Sequence, residues 1–187
     1  TNVKGQDYQV TLIDYADQLL IGVGVEGSLG SSGYWAEVAA TQGSADYLRA
    51  SVGVDFALNA FSLVMFEYHY NGPGAKEPEG YLAAQGSAAY DQGGVYLLGR
   101  HYLAAGLQAQ VNPLLSVSGQ ALMNLSDHSA FLSLATSYNA SDNTYIDFGY
   151  YHFLGDAVVG ASDLGLMPGS EYGIFPRSLY VSLRWYF

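Results

Sequence analysis

The sequence predicts an all-β fold, an antiparallel transmembrane β-barrel of about ten strands forming a single domain over residues 1–187. Three observations lead there. Apolar and polar residues alternate with a period of two along most of the chain, as a strand requires and a helix does not. The composition pairs 23 Gly and 17 Tyr with only 12% charged residues, unusual for a domain bathed in water. No apolar run approaches the roughly 18 residues a spanning helix needs, so a chain this apolar crosses a membrane only as a closed wall of strands.

Strands are expected at residues 7–13, 18–29, 34–42, 47–58, 61–70, 96–111, 115–124, 129–138, 144–154 and 178–187. Most approach the ~9–11 residues that cross a bilayer at a tilt. Turn-forming stretches separate them: "GSSG", "GSAD", "NA", "VNP" and "NASDN". The alternation is clearest in "LRASVGVDFAL". There Leu48, Ala50, Val52, Val54, Phe56 and Leu58 share one face, and Arg49, Ser51, Gly53, Asp55 and Ala57 the other. The same split recurs in "YLAAGLQAQV", with Leu103, Ala105, Leu107, Ala109 and Val111 against Tyr102, Gly106, Gln108 and Gln110. A soluble acidic barrel with a ligand cavity is the competing reading, and it would need a polar outward face. The segment 71–95 lacks strand periodicity and is expected to be a long loop with a local helix or hairpin; 155–177 is expected to be a second long connection.

A net charge of −11 excludes the basic face that a nucleic-acid partner would demand. With no cysteine there is neither a disulfide nor a thiolate metal site. The sequence opens without a signal-peptide pattern or an initiator Met, as expected of a processed or truncated chain; strands lying upstream would make these ten the C-terminal portion of a larger barrel.

Projected by alternation, the inward positions are Glu26, Glu37, Arg49, Asp55, Glu67, His69, Arg100, Asp147 and Arg184, residues that either line a channel or fill the lumen as an ion-pair network. Glu67 and His69 share a face and, with Asp55, offer a thin ligand or acid–base set; a buried polar network is the plainer reading. In "NLSDHS" the neighbours Asp127, His128 and Ser129 point to alternating sides and read as a polar turn rather than a hydrolytic centre. His101 and His152 project outward near a rim. Tyr68, Tyr70, Tyr150 and Trp185 near strand ends suit an interfacial girdle. No catalytic residue, metal site or cofactor is expected.

The chain closes on "SLYVSLRWYF", with Leu179, Val181, Leu183, Trp185 and the terminal Phe187 on one side of a strand. This resembles the C-terminal signal of bacterial outer-membrane β-barrels, read by the barrel-assembly machinery, with Ser182 where that pattern often has Gly. The stretch from "GRHYLAAGLQAQVNPLLSVSGQ" onward looks like the closing hairpins of porin-like barrels. The resemblance implies an outer-membrane location with a periplasmic C-terminus, a lipid environment, and contact with the assembly machinery. It then places the short turns in the periplasm and the two long connections outside. The function expected is a porin-like channel for small polar solutes; the alternatives are a non-conducting barrel that anchors or scaffolds a protein partner and, behind it, a membrane-surface hydrolase. A homo-oligomer is compatible with any of these.

Overall fold

The structure is a computed structural model that describes residues 2–3, 5–15, 17–92, 95–162 and 165–187. Gly93–Gly94 of the first long connection and Asp163–Leu164 of the second lie outside the described residues. Ten strands of eight to thirteen residues form one antiparallel meander: β2 (Gln6–Tyr15), β3 (Gln18–Leu29), β4 (Ser32–Gly43), β5 (Tyr47–Asn59), β6 (Ser62–Asn71), β7 (His101–Asn112), β8 (Leu115–Asn124), β9 (Ala130–Ser141), β10 (Thr144–Leu154) and β13 (Ser178–Trp185). A two-residue strand, β1 (Asn2–Val3), pairs back onto Gln6 and Asp7 of β2. Each strand pairs with its sequence neighbour, the arrangement that short hairpins favour.

The ladder does not close. Among the described residues the free edge of β13 meets neither β1 nor β2, so the sheet is open where a closed barrel was expected. Closure requires a backbone partner for both edge strands, and β13 pairs only with β10 while β2 pairs only with β3 and the short β1. The second correction concerns 96–100: the apolar "YLLG" looked like the start of a strand, but β7 begins at His101, and 95–98 lies in the long connection instead.

Register sorts the side chains into two faces. One runs through Val10, Val23, Val38, Val52, Tyr68, Leu103, Met123, Leu132, Tyr150 and Leu179, with large apolar groups left exposed on nearly every strand. The other carries serines, amides, glycines and most of the charged groups. Its residues from β5 to β13 line a single cavity of about 800 Å³, so this polar face is concave.

Turns 30–31, 60–61, 113–114 and 142–143 lie at the end where the chain terminates, and each is two residues long. At the other end the 16–17 connection is also two residues long, and the remaining four are longer: 44–46, 72–100, 125–129 and 155–177. The first long connection holds a 3₁₀ turn (Pro78–Gly80) and two one-turn helices, α1 (Tyr81–Gln85) and α2 (Ala88–Gln92); the second holds the hairpin β11 (Val158–Ser162) and β12 (Gly165–Pro168). Among the described residues no helix is long and apolar enough to cross a membrane.

The few fully buried side chains are found at this loop end, not in a central core: Tyr81, Asn71, Tyr102, Asn124, Ser129 and Ser170. A sheet with one apolar face turned outward has no other place to build one.

Candidate functional site: a polar trough capped by two loops

Pleating places Glu26, Glu37, Arg49, Asp55, Glu67, His69, Asp147 and Arg184 on the concave face, where partners in register alternate with those of the apolar face. Arg100 precedes β7 in a bend, and its Nε donates to the carbonyl of Gly74 at 2.9 Å, which ties the first loop to the strand. Proximity groups these residues into separate sets.

On β2–β5, Asp7, Glu26, Glu37 and Asp55 surround a smaller recess of about 390 Å³ near the short turns. Asp7 stands opposite Glu26 in the ladder, a like-charged pairing that favours nearby cations. On β10 and β13, Arg184 forms a bidentate pair with Asp147, Nε to Oδ2 at 2.6 Å and Nη2 to Oδ1 at 2.8 Å, and its Nη2 also reaches Ser137 Oγ at 3.4 Å. This pair cancels the charge on that wall of the trough, and it is the one ion pair among the described residues.

Glu67, His69 and Asp55 do not converge. Glu67 accepts the Trp35 indole N–H at 2.9 Å, His69 Nδ1 lies 2.8 Å from Ser51 Oγ, and Asp55 stands opposite Met65. Among the described residues no group of His, Asp and Glu is arranged to hold a metal. His101 and His152 sit on the apolar face beside tyrosines: His101 Nδ1 is 2.7 Å from Tyr68 Oη, and His152 Nδ1 is 3.3 Å from Tyr150 Oη. Leu179, Val181, Leu183 and Trp185 also lie on the apolar face, all exposed.

The main wall of the trough presents Gln108, Gln110, Ser116, Ser118, Ser137 and Ser182, with Tyr180 beside them. Small hydroxyl side chains leave the cavity open, where larger inward groups would fill a curl of this size.

Above it the two long loops are pinned by a single buried carboxylate. Glu171, 5% exposed, accepts from Leu98 N at 2.8 Å, Tyr102 Oη at 2.6 Å and Asn124 Nδ2 at 2.8 Å. Asn124 Nδ2 also donates to Tyr81 Oη, which donates to Asp127 Oδ2 at 2.7 Å; the backbone N–H of Glu171 reaches that same oxygen at 2.7 Å. Burial raises the pKa of Glu171, and the nearby charge of Asp127 acts in the same direction, against the three donors. Burial likewise raises Tyr81 and Tyr172 and keeps both phenols protonated; Tyr81 donates to Asp127, while the buried Tyr172 hydroxyl has no hydrogen-bond partner among the described residues.

The "NLSDHS" turn is absorbed into this hub. Asp127 receives Tyr81 and Glu171, while buried Ser129 accepts from the backbone N–H of Tyr172 at 3.3 Å. Glu171 and Tyr81 were invisible to sequence reasoning because each lies in an aperiodic loop and finds its partners more than 40 residues away. The nearest sequence signal was a glutamate set among Ser, Tyr and Gly, away from any charged run.

Comparisons with protein-family models, with curated proteins and with solved structures give no match.

Proposed function

We propose that the chain belongs to an integral outer-membrane β-barrel that acts as a porin-like channel for small polar solutes, with β2–β10 and β13 crossing the lipid. One observation carries the reading: an apolar face exposed from Val10 on β2 to Leu183 on β13 lies back to back with a concave face of serines, amides and charges. In water such a face would be a liability, since exposed apolar patches on monomers rarely exceed a few hundred Å². In hydrocarbon it is what a barrel wall needs.

The ends agree with this orientation. All four connections at the C-terminal side are two-residue turns, and every connection at the other side except 16–17 is longer, the asymmetry of barrels with periplasmic turns and outer loops. The free edges of β2 and β13 bear on barrel size. An unpaired backbone group in lipid costs several kcal/mol, so the ten strands make the C-terminal portion of a larger wall whose further strands cover both edges. Leu179, Val181, Leu183, Trp185 and Phe187 form the signal presented to the assembly machinery.

The test is planar-bilayer conductance of the detergent-folded protein, after heat-modifiable migration on a gel has established folding. Stable open steps support the channel. A folded but silent barrel favours the second reading, a non-conducting anchor for a protein partner, to which the tightly packed cap around Glu171 lends weight.

A further inference from the structure

The two edges of the sheet match one another. On β2 the short β1 covers the start of the strand through Asp7, and from Gln9 to Tyr15 the ladder has a neighbour on the β3 side alone. β13, Ser178–Trp185, has a neighbour on the β10 side alone. β2 runs toward the long-loop end and β13 away from it, so the edge of one laid against the edge of the other is antiparallel. The chain's own edges do not meet, although the strands from β5 to β13 already bend around one cavity.

The backbone phase agrees as well. In an antiparallel ladder alternate residues turn both N–H and C=O to the same neighbour. Tyr186 N donates to Asn143 O at 2.9 Å, so the even residues of β13 serve β10, and Leu179, Val181 and Leu183 turn theirs to the open side. On β6, Asn71 N donates to Arg100 O at 2.8 Å, so concave residues there serve the β7 side. Carried strand by strand back to β2, the alternation gives its concave residues to β3 and turns Val10, Leu12 and Asp14 to the open side.

Both edges thus offer the backbone of outward-facing residues, and pairing them keeps the apolar face continuous. With Tyr15 opposite Ser178 at the loop end, Leu12 meets Val181 and Val10 meets Leu183 outside, while Thr11 meets Ser182 and Gln9 meets Arg184 inside. A slip of one residue would set apolar groups against polar ones. Asp14 alone falls opposite an apolar residue, Leu179, at the long-loop rim of the wall. The side chains concerned are the ones a neighbour would cover: Val10 is 77% and Leu183 69% exposed, against 46% for Leu103 and 42% for Leu134 inside the sheet. Charge is complementary too. Arg184, half-exposed beside Asp147, arrives diagonally across from Asp7, whose ladder partner is the like-charged Glu26.

From this match we infer that a second copy of the chain supplies the strands that cover both edges, β13 of each copy pairing with β2 of the other so that two polar troughs face one lumen. The inference rests on the reading that these strands are part of a larger membrane wall, and it names the partner that completes it. Each junction is head-to-tail, and two of them related by a twofold axis along the pore close a ring with no edge left in lipid. Ten strands per copy is an even number, which keeps every junction antiparallel and all short turns at one end.

The chain has no cysteine, so introduced pairs report directly. In the proposed junction Thr11 and Ser182 form a pair that exchanges no backbone bonds, the closer kind, within reach of a disulfide. Full chains carrying Thr11→Cys and Ser182→Cys singly, one of them tagged, are folded together in detergent and oxidised. A tagged–untagged covalent dimer should form, while Val10→Cys in place of Thr11→Cys, on the opposite face, should stay uncoupled. Gln9→Cys and Ile13→Cys, each with Ser182→Cys, cover a slip of two residues, which keeps the faces. A chain carrying both Thr11→Cys and Ser182→Cys separates a second copy from self-closure: covalent dimers support the inference, and a cross-link confined to monomer mass means that each chain closes on itself and overturns it. No cross-link in any of these registers, in protein shown to be folded by heat-modifiable migration, overturns it as well. Leu12→Pro removes an N–H that serves only the open side, so on native mass spectrometry it should return dimers to folded monomers; a dimer that survives it is held by another surface and sinks the pairing. Conductance keeps the two readings apart. A cross-linked dimer that stays silent in a planar bilayer sinks the channel and keeps the pairing, whereas open steps from chains that cross-link only internally sink the pairing and keep the channel.

Discussion

Trp35 on β4 reaches across β5 to donate its indole N–H to Glu67 on β6, 2.9 Å away, and the residue it crosses is Gly53. A Cβ at Gly53 would overlap the Trp35 ring, so the absence of a side chain there is what lets the indole lie flat and bridge three strands. The same device recurs on the far wall, where Tyr180 lies over Gly149.

Gly53→Val should therefore displace Trp35, break its bond to Glu67 and destabilise the folded sheet by about 1–3 kcal/mol, the usual cost of overpacking. Urea unfolding of the detergent-folded protein, followed by tryptophan fluorescence, measures it. Trp35→Ala in the same chain should absorb most of that cost, because the atoms nearest a Cβ at Gly53 all belong to the Trp35 ring. Additive effects of the two substitutions would show that the valine acts elsewhere, for instance on the backbone ladder.

The strands were legible for the reason that makes Gly53 conspicuous: a period of two leaves each position a single face. The bounds of β3, β8 and β10 coincide with those expected from alternation and turn residues, Gln18–Leu29, Leu115–Asn124 and Thr144–Leu154. Alternation is silent on whether the last strand meets the first, since closure depends on curvature and on which strands are present, and the open edge of β13 is the result. It also misled at 95–98, where Val95 and Leu98 are buried by loop packing rather than by strand pairing. Apart from Arg100, which lies in the bend before β7, the charges expected inward fall on one face of the pleat, but their partners did not follow from it: Glu67 and His69 share a face, yet Glu67 bonds Trp35 two strands away on β4 and His69 lies against Ser51 on the adjacent β5. The ring contacts of Phe131 with Phe153 and Tyr151, and of Tyr151 with Tyr180, were not legible in the sequence because β9, β10 and β13 carry aromatic residues on both faces, and only the register separates Tyr151 and Phe153 from Tyr150 and Phe148.

The lipid-facing assignment predicts an asymmetry between neighbours. Ala105→Arg, at mid-strand on the apolar face of β7, should reduce stability in vesicles by about 2–4 kcal/mol, the penalty for an arginine near the bilayer midplane. Ser118→Arg on the concave face of β8 should cost far less, because that position opens into the trough. Equal penalties at the two sites, read from denaturant unfolding in the same vesicles, would remove the distinction between lipid and lumen.

Glu171 makes the loop cap dependent on pH. Its pKa is raised in the docked loops and returns toward the ordinary glutamate value, near 4.5, when they undock. Below that value the carboxyl is protonated in both states and the docking contribution is fully present. As pH rises toward the raised value the undocked state sheds its proton first, so docking weakens until the docked carboxyl has also ionised. Amide hydrogen exchange in 95–102 and 170–173, corrected for intrinsic rates, should accordingly show slower opening at acid than at neutral pH. Glu171→Gln should flatten that profile, and a profile that survives the substitution would assign the pH dependence to another group such as Asp127.

Phe187 separates assembly from intrinsic folding. The last ladder pair joins Trp185 to Thr144, so Phe187 lies beyond the sheet, fully exposed; among the aromatic rings of the described residues it meets that of Trp185, with centroids 6.1 Å apart. Deleting it removes little that holds the sheet together, and refolding in detergent should proceed with unchanged yield and denaturant midpoint. Inserted amounts in the outer membrane of cells should fall severalfold if the residue is read by the assembly machinery, since in that case its contribution is to recognition and not to packing. Phe187→Tyr, which keeps an aromatic terminus, should restore most of the inserted protein, whereas Phe187→Ser should not. A deletion that lowers detergent refolding as much as cellular insertion would mean that the terminal ring stabilises the sheet itself, and the apolar row from Leu179 to Trp185 would then be lipid-facing wall with no separate role as a signal.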